Sequence, residues 1–150
     1  MSLVQKCEIP GYPRLYLDVD GVLTDGKLNI DSSGRKAFKS FHCRDVRAIR
    51  QLVYGGWEVT LVTCDDWPGI EHFANKVGAE VMYHRQKDDL PQPYVAVGDD
   101  AWDVVMLERA ATAFAPINAD VCVHKLSNVR ILNTKGGEGV VAEILNRLEL

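Results

Sequence analysis

The stretch Arg14-Leu15-Tyr16-Leu17-Asp18-Val19-Asp20-Gly21 constrains this chain more than any other. A short apolar run reads as a buried strand, and this one ends on carboxylates. Two acids two residues apart at the end of a hydrophobic strand are costly to bury without a cation or a proton. If the strand geometry continues, Asp18 and Asp20 point the same way. One could then attack while the other handles a proton, and Gly21 would let the backbone turn sharply. A bare Asp-x-Asp is more simply a solvated acidic turn. The full run Asp-Val-Asp-Gly-Val-Leu-Thr-Asp-Gly, from Asp18 to Gly26, fits that simpler reading poorly.

The rest of the chain alternates strands with helices. Lys27 to Lys39 alternates weakly around Asp31-Ser32-Ser33-Gly34, which predicts a hairpin with a polar turn. From Arg44 a helical stripe runs through Val46, Ile49, Leu52 and Val53 and stops at Gly55-Gly56. Glu58 to Thr63 is a second strand. Asp65 and Asp66 precede Pro68 as a helix start. Trp67, Ile70, Phe73, Ala74 and Val77 then form a core-facing stripe closed by Gly78. Further strands are predicted at 79–83, 94–98 and 111–115, with helices over 101–109 and around Val140, Val141, Ile144, Leu145 and Leu148. This pattern means one α/β domain spanning 1–150, with a three-layer, Rossmann-like, mainly parallel sheet. The polar residues gather at strand C-termini, the edge where open α/β sheets bind ligands.

Three further segments lie at that edge. Val62-Thr63-Cys64 puts a hydroxyl and backbone amides before a helix, which suits a phosphate, although a threonine there is commonly just a cap. Lys87, in Arg85-Gln86-Lys87-Asp88-Asp89, could act as a point cation beside a phosphate, although a lone lysine is commonly a solvated surface residue. Lys76 is a rival late on a helix. Gly98-Asp99-Asp100-Ala101-Trp102-Asp103 places acids straight after a buried strand, which suits a hard cation such as Mg2+ or simply an acid-rich helix start.

Composition narrows the partners. The balance is 17 basic against 21 acidic residues, a net charge of −4. A mildly acidic surface argues against nucleic acid and anionic membrane. No apolar run approaches the roughly 18 residues of a spanning helix. The start, MSLVQKCEIPGYPR, lacks a secretion-signal pattern, so the expectation is a cytoplasmic protein. Cys7, Cys43, Cys64 and Cys122 are 36, 21 and 58 residues apart, without zinc-knuckle or Cys-x-x-Cys spacing. They read as reduced and mostly core.

The order of acid pair, Thr63, Lys87 and acid cluster resembles the haloacid dehalogenase superfamily of phosphatases. Asp18 to Thr24 match its first motif, Thr63 its second, Lys87 its third, and Gly98-Asp99 with Asp103 its fourth. Together with Phe41-His42-Cys43-Arg44-Asp45 and the late Gly136-Gly137-Glu138-Gly139-Val140, the chain resembles a cap-less subgroup. That subgroup comprises the 3-deoxy-manno-octulosonate 8-phosphate phosphatases and related sugar-acid phosphatases. Only 11 residues, Asp88 to Gly98, separate Lys87 from Asp99, which leaves no room for a cap and at most one helical turn. Departures cluster around the expected pocket. Val46 and Ala48 replace two glycines, Cys64-Asp65 replaces Gly-Arg, and Ala142 replaces an arginine.

The resemblance implies a Mg2+-dependent hydrolysis of a small phosphate monoester, a sugar or sugar-acid phosphate. It makes Asp18 the nucleophile, forming an aspartyl-phosphate, and Asp20 the acid and then the base. It assigns Mg2+ to Asp18, the Asp20 carbonyl and Asp99. Thr63 and the Cys64 amide bind phosphoryl oxygens, and Lys87 balances charge. Asp103, and less directly Asp100, orient the metal's waters. It also implies a homotetramer in which a β-hairpin flap covers the site. The alternative is a weakly active or non-catalytic oligomerisation or regulatory module of the same fold. His42 reads first as a structural hydrogen-bonding residue. Arg44 and Asp45 read equally as an ion pair or as pocket lining, and Pro116 to Asp120 as pocket wall or plain connection.

Overall fold

A computed structural model describes residues 13–84 and 87–149. Cys7 and the first residues, and Arg85-Gln86, lie outside the described residues, so the expectations placed on them are not addressed. Six strands form one sheet: β1 (Arg14–Asp18), β2 (Glu58–Thr63), β3 (Glu80–Tyr83), β4 (Val95–Val97), β5 (Thr112–Ala115) and β6 (Val129–Ile131). Their order is β3-β2-β1-β4-β5-β6, and every pairing is parallel. The helices are α1 (Cys43–Tyr54), α2 (Gly69–Val77), α3 (Val104–Arg109), α4 (Val121–His124) and α5 (Val140–Glu149). A single tight turn of helix, Ala101–Asp103, leads into α3.

An all-parallel sheet must be covered on both faces, and two apolar clusters do this. On one face Ala48, Ile49 and Leu52 of α1, Ile70 and Phe73 of α2, and Val141 and Ile144 of α5 pack on Leu15, Leu17, Leu61 and Val97. On the other, Met106 and Leu107 of α3 and Val123 of α4 join Tyr16, Val62, Ala96 and Ala113. Between β3 and β4 no helix forms among the described residues. Leu90 and Tyr94 of that connection fill in on this second face, with Tyr94 packed edge-on against Tyr16. The short separation of Lys87 from Asp99 had implied this economy.

The structure amends several expectations. The sheet is wholly parallel and holds a sixth strand, β6, whose exposed Arg130 breaks the apolar run that marks the equally short β4. α4 was likewise unannounced. The 27–39 segment is a hairpin in outline, closed by an Ile30–Lys36 bridge, with Ala37 N–H on the Asn29 carbonyl (2.8 Å) and Asp31 N–H on the Arg35 carbonyl (2.9 Å). The described cysteines are not buried core residues: Cys43 and Cys64 are exposed and Cys122 is half-buried against the second cluster, all three as free thiols. No helix among the described residues is long and apolar enough to cross a membrane.

Candidate active site

Strand β1 stops at Asp18, its last residue paired with β2. The chain then closes one wide turn, with the Thr24 N–H donating to the Val19 carbonyl at 3.1 Å. Inside the turn Asp20 is extended (φ −75°, ψ 125°) and Gly21 is left-handed (φ +86°). The strand geometry therefore does not continue, and Asp18 and Asp20 do not share one set of partners. Asp18 faces Lys87, whereas Asp20 faces the flap. Thr24 braces the turn from within. Its Oγ1 accepts from the Gly21 and Gly26 N–H groups at 3.4 and 3.2 Å and donates to Asp20 Oδ1 at 3.3 Å.

Two glycines let other loops reach this turn. A Cβ on Gly21 would lie 1.8 Å from Asp99 Oδ2, and one on Gly136 would lie 2.0 Å from the Gly21 carbonyl oxygen. The late glycine loop is thus seated on the turn, and Gly137 N–H donates to the Val22 carbonyl at 3.0 Å. Asn118 Oδ1 accepts the Gly136 N–H at 3.0 Å, and Asp120 N–H donates to the Asp99 carbonyl at 2.7 Å. The Pro116 to Asp120 loop is accordingly a brace for the site, not a plain connection.

Lys87 reaches the centre. It follows β3 in a left-handed conformation (φ +54°), with its N–H donating to His84 Nδ1 at 2.9 Å. Such a backbone conformation is uncommon for a lysine and tends to occur at functional sites. The side chain is buried, and its ammonium donates to Asp18 Oδ1 at 2.7 Å and to Asp103 Oδ1. Burial by itself would lower the lysine's pKa, but the two carboxylates outweigh it and hold Lys87 above its ordinary value. Lys76 lies away, its carbonyl accepting from Arg50 Nε at 3.0 Å.

The acid cluster is similarly ordered. Asp103 is fully buried, and its Oδ2 accepts the Asp99 and Asp100 N–H groups at 2.8 and 3.2 Å. Both Asp103 oxygens are therefore occupied, and its visible role is to hold the Asp99 loop and Lys87. The carboxylate of Asp100 accepts the Trp102 N–H at 2.9 Å and caps the helical turn. Asp99 keeps a free atom: its Oδ1 is buried and has no hydrogen-bond partner among the described residues. Burial, then repulsion from Asp103 and Asp100, pushes the Asp99 pKa up to about 7 against a hydrogen bond from Asp18. Asp18 is raised well above its ordinary range, by burial first and by Asp103 next, with Lys87 opposing.

These groups fit a divalent cation. Oxygens of Asp18, Asp99 and Asp103 lie within 4.8 Å of one another. Three carboxylates against one ammonium leave two formal negative charges, and the orphaned Asp99 Oδ1 is an oxygen that a hard cation would satisfy. The carboxylate of Asp20 is not part of this group.

Thr63 ends β2 beside Asp18 and is buried. Its Oγ1 accepts the Asp65 N–H at 3.0 Å, which leaves its own hydroxyl hydrogen free to donate. Cys64 follows it, exposed. His42 caps α1, its Nδ1 accepting the Arg44 N–H at 3.1 Å. Asp45 resolves into neither reading offered by the sequence. It is buried, and its Oδ1 accepts the Ala142 N–H at 3.1 Å, capping α5 from α1.

Sequence reasoning missed one part of the site. Lys39, from the flap, places its Nζ 2.6 Å from Asp20 Oδ1 and 3.0 Å from Asp65 Oδ2. Lys36 lies 2.5 Å from Asp65 Oδ1. The available signal was alternation: Lys39 sits two residues before Phe41, which stacks on Phe73 with ring centroids 3.7 Å apart.

No family model matches the chain. The 3-deoxy-D-manno-octulosonate 8-phosphate phosphatase of Haemophilus influenzae is 29% identical over 140 residues, covering 85% of this chain and 77% of the relative. The Yersinia pestis phosphatase of the same name is 27% identical over 149 residues, covering 91% and 79%. Among solved structures, the cobalt-bound Haemophilus influenzae phosphatase superposes with a TM-score of 0.81 at 28% identity, over 90% of this chain and 85% of that one. The Moraxella catarrhalis phosphatase, in complex with magnesium, phosphate and the octulosonate, shares the fold with a TM-score of 0.82 at 22% identity, over 97% and 89%.

Proposed function

We propose, from the premise that this chain is a phosphatase of the haloacid dehalogenase superfamily, that it hydrolyses a small sugar-acid phosphate with Mg2+ through an aspartyl-phosphate on Asp18. The carrying observation is the buried ammonium of Lys87 shared by Asp18 and Asp103, beside the unpartnered Asp99 Oδ1. Nothing in the packing of this sheet requires that many ionisable groups at one strand end, so the arrangement speaks for chemistry. The relatives' phosphatase names and the magnesium in one neighbour support the same reading.

Asp18 and Asp99 would hold the ion, with the Asp20 carbonyl as a further ligand. When bound, Mg2+ supplies the positive charge that lets a carboxylate approach a phosphate dianion. Lys87 fixes Asp18 through Oδ1 and neutralises part of its charge. Thr63, by its free hydroxyl hydrogen, and the Cys64 amide bind phosphoryl oxygens. Asp18 attacks phosphorus as the leaving oxygen takes a proton from Asp20. Asp20 then removes a proton from the water that releases phosphate. Asp103 keeps Lys87 and the Asp99 loop in register, and Asp100 secures the helical turn behind them.

The substrate-reading side differs from the subgroup pattern at Val46, Cys64, Asp65 and Ala142, so the substrate panel extends beyond the octulosonate ester. The test is phosphate release from octulosonate 8-phosphate and a panel of sugar and sugar-acid phosphates, with Mg2+ and with chelator. Metal-dependent release from at least one sugar-acid phosphate is expected. Release that chelator leaves unchanged, or none from any ester, would refute the proposal.

Assembly belongs to the same reading. Leu28, Ile30 and Phe38 expose large apolar side chains on the flap, each more than half accessible. Clustered exposure of this kind marks a contact surface and supports the tetramer that the subgroup resemblance implies.

A further inference from the structure

Lys39 lies outside every motif, yet its ammonium joins the flap to the catalytic turn through Asp20. Its side chain is 12% exposed, and its ammonium lies between two carboxylates, Asp20 Oδ1 at 2.6 Å and Asp65 Oδ2 at 3.0 Å. Asp65 is a fixed anchor, because its Oδ1 takes the Trp67 N–H at 3.1 Å and Lys36 Nζ at 2.5 Å. The Lys39 ammonium also stands 5.9 Å from the centroid of the Trp67 ring. Two carboxylates and two ammonium groups thus form a neutral lattice between the flap and the loop after β2.

The contacts on Asp20 are one-sided. Lys39 Nζ and Thr24 Oγ1 both donate to Oδ1, and no hydrogen bond reaches Oδ2 among the described residues. A carboxyl group held this way cannot rotate about its terminal bond without losing both donors.

We propose that Lys39 is a positioning residue for Asp20, holding it through Oδ1 so that Oδ2 exchanges the proton with the reacting oxygens. The inference rests on the phosphatase reading above. In the first step the Oδ2 proton passes to the leaving oxygen as its bond to phosphorus breaks and the bond from Asp18 forms. In the second, Oδ2 takes a proton from water as the water oxygen bonds phosphorus and the bond from Asp18 to phosphorus breaks. Lys39 moves no proton in either step. The flap therefore completes the acid/base group, and a flap that leaves the site leaves Asp20 free to turn.

A comparison of leaving groups tests this. A poor alcohol leaving group needs its proton from Asp20, whereas 4-nitrophenolate departs with little help. Single-turnover release would be measured with Mg2+ from glycerol phosphate and from 4-nitrophenyl phosphate, in wild type, Lys39→Met and Lys39→Arg. Lys39→Met is expected to slow glycerol release at least about tenfold more than nitrophenolate release, a fraction of the usual general-acid contribution. Lys39→Arg, which keeps a donor to Oδ1, is expected to recover most of that difference. Equal slowing of both esters, as misfolding or a merely structural contact would give, overturns the inference, as does unchanged glycerol release. A wild-type protein that releases neither leaving group, and no phosphate from any ester of the sugar-acid panel, overturns the phosphatase reading and this inference together.

Discussion

Asp99 is the residue whose charge state ties stability to chemistry. Its pKa is raised from an ordinary 3.8 to about 7, by burial before any other cause. A carboxyl group raised in the fold favours the folded state while protonated. Its contribution is complete below about pH 4, declines as pH rises, and is lost above about pH 7. The metal-free protein is therefore expected to lose melting temperature between pH 5 and 8 more steeply than its Asp99→Asn variant. A cation that takes the place of the proton should reverse the trend, so Mg2+ should raise the wild-type melting temperature more at pH 8 than at pH 5. Parallel slopes in thermal melts of the two proteins would contradict the account. At this scale the placement of the candidate residues was largely legible. Asp18, Thr63, Lys87, Asp99 and Asp103 each stand at or just after a strand end, where the backbone alone brings them together. Lys39 and Asp65 were not legible as partners, because their ion pair depends on how the flap folds back across the turn.

Among the elements, the turn after β1 is the joint on which the site depends. Gly21 sits at φ +86°, and any side chain there would enter the Asp99 carboxylate. Gly21→Ala adds about 1 kcal/mol of backbone strain and displaces Asp99. Turnover is expected to fall on the order of 100-fold, the usual cost of an ångström-scale misplacement, with a modest fall in melting temperature. Wild-type turnover in that variant would remove Asp99 from the site. The sequence showed this turn through its glycine, but it did not show that Asp20 leaves the strand direction, because an isolated Asp-x-Asp has no record of what faces each acid. Asp45 was illegible for a similar reason. The amide it caps is 97 residues away, at the start of α5. Strand β6 escaped notice because its three residues include the exposed Arg130 and none is buried, whereas the equally short β4 is an unbroken buried apolar run.

For the whole molecule, no helix forms between β3 and β4 among the described residues, and the flap lies against the turn after β1 through Lys39 and Asp20. That flap is pinned at its return side by Lys36 and Lys39, while Leu28, Ile30 and Phe38 remain open. Sedimentation of the wild type is expected to give a tetramer, and Phe38→Ser together with Ile30→Ser to give smaller species. A monomeric wild type would contradict the assembly reading without touching the chemistry. The α/β order was readable from β1 to β5, since short apolar strands followed mostly by amphipathic helices admit few other topologies. The central claim is that Asp18 itself receives the phosphoryl group. Its most direct measurement is acid-quenched mass analysis of the protein during turnover of an aryl phosphate with Mg2+. The account predicts a phosphorylated peptide carrying Asp18, absent with chelator and absent in Asp18→Asn. Turnover that proceeds undiminished in Asp18→Asn would contradict it.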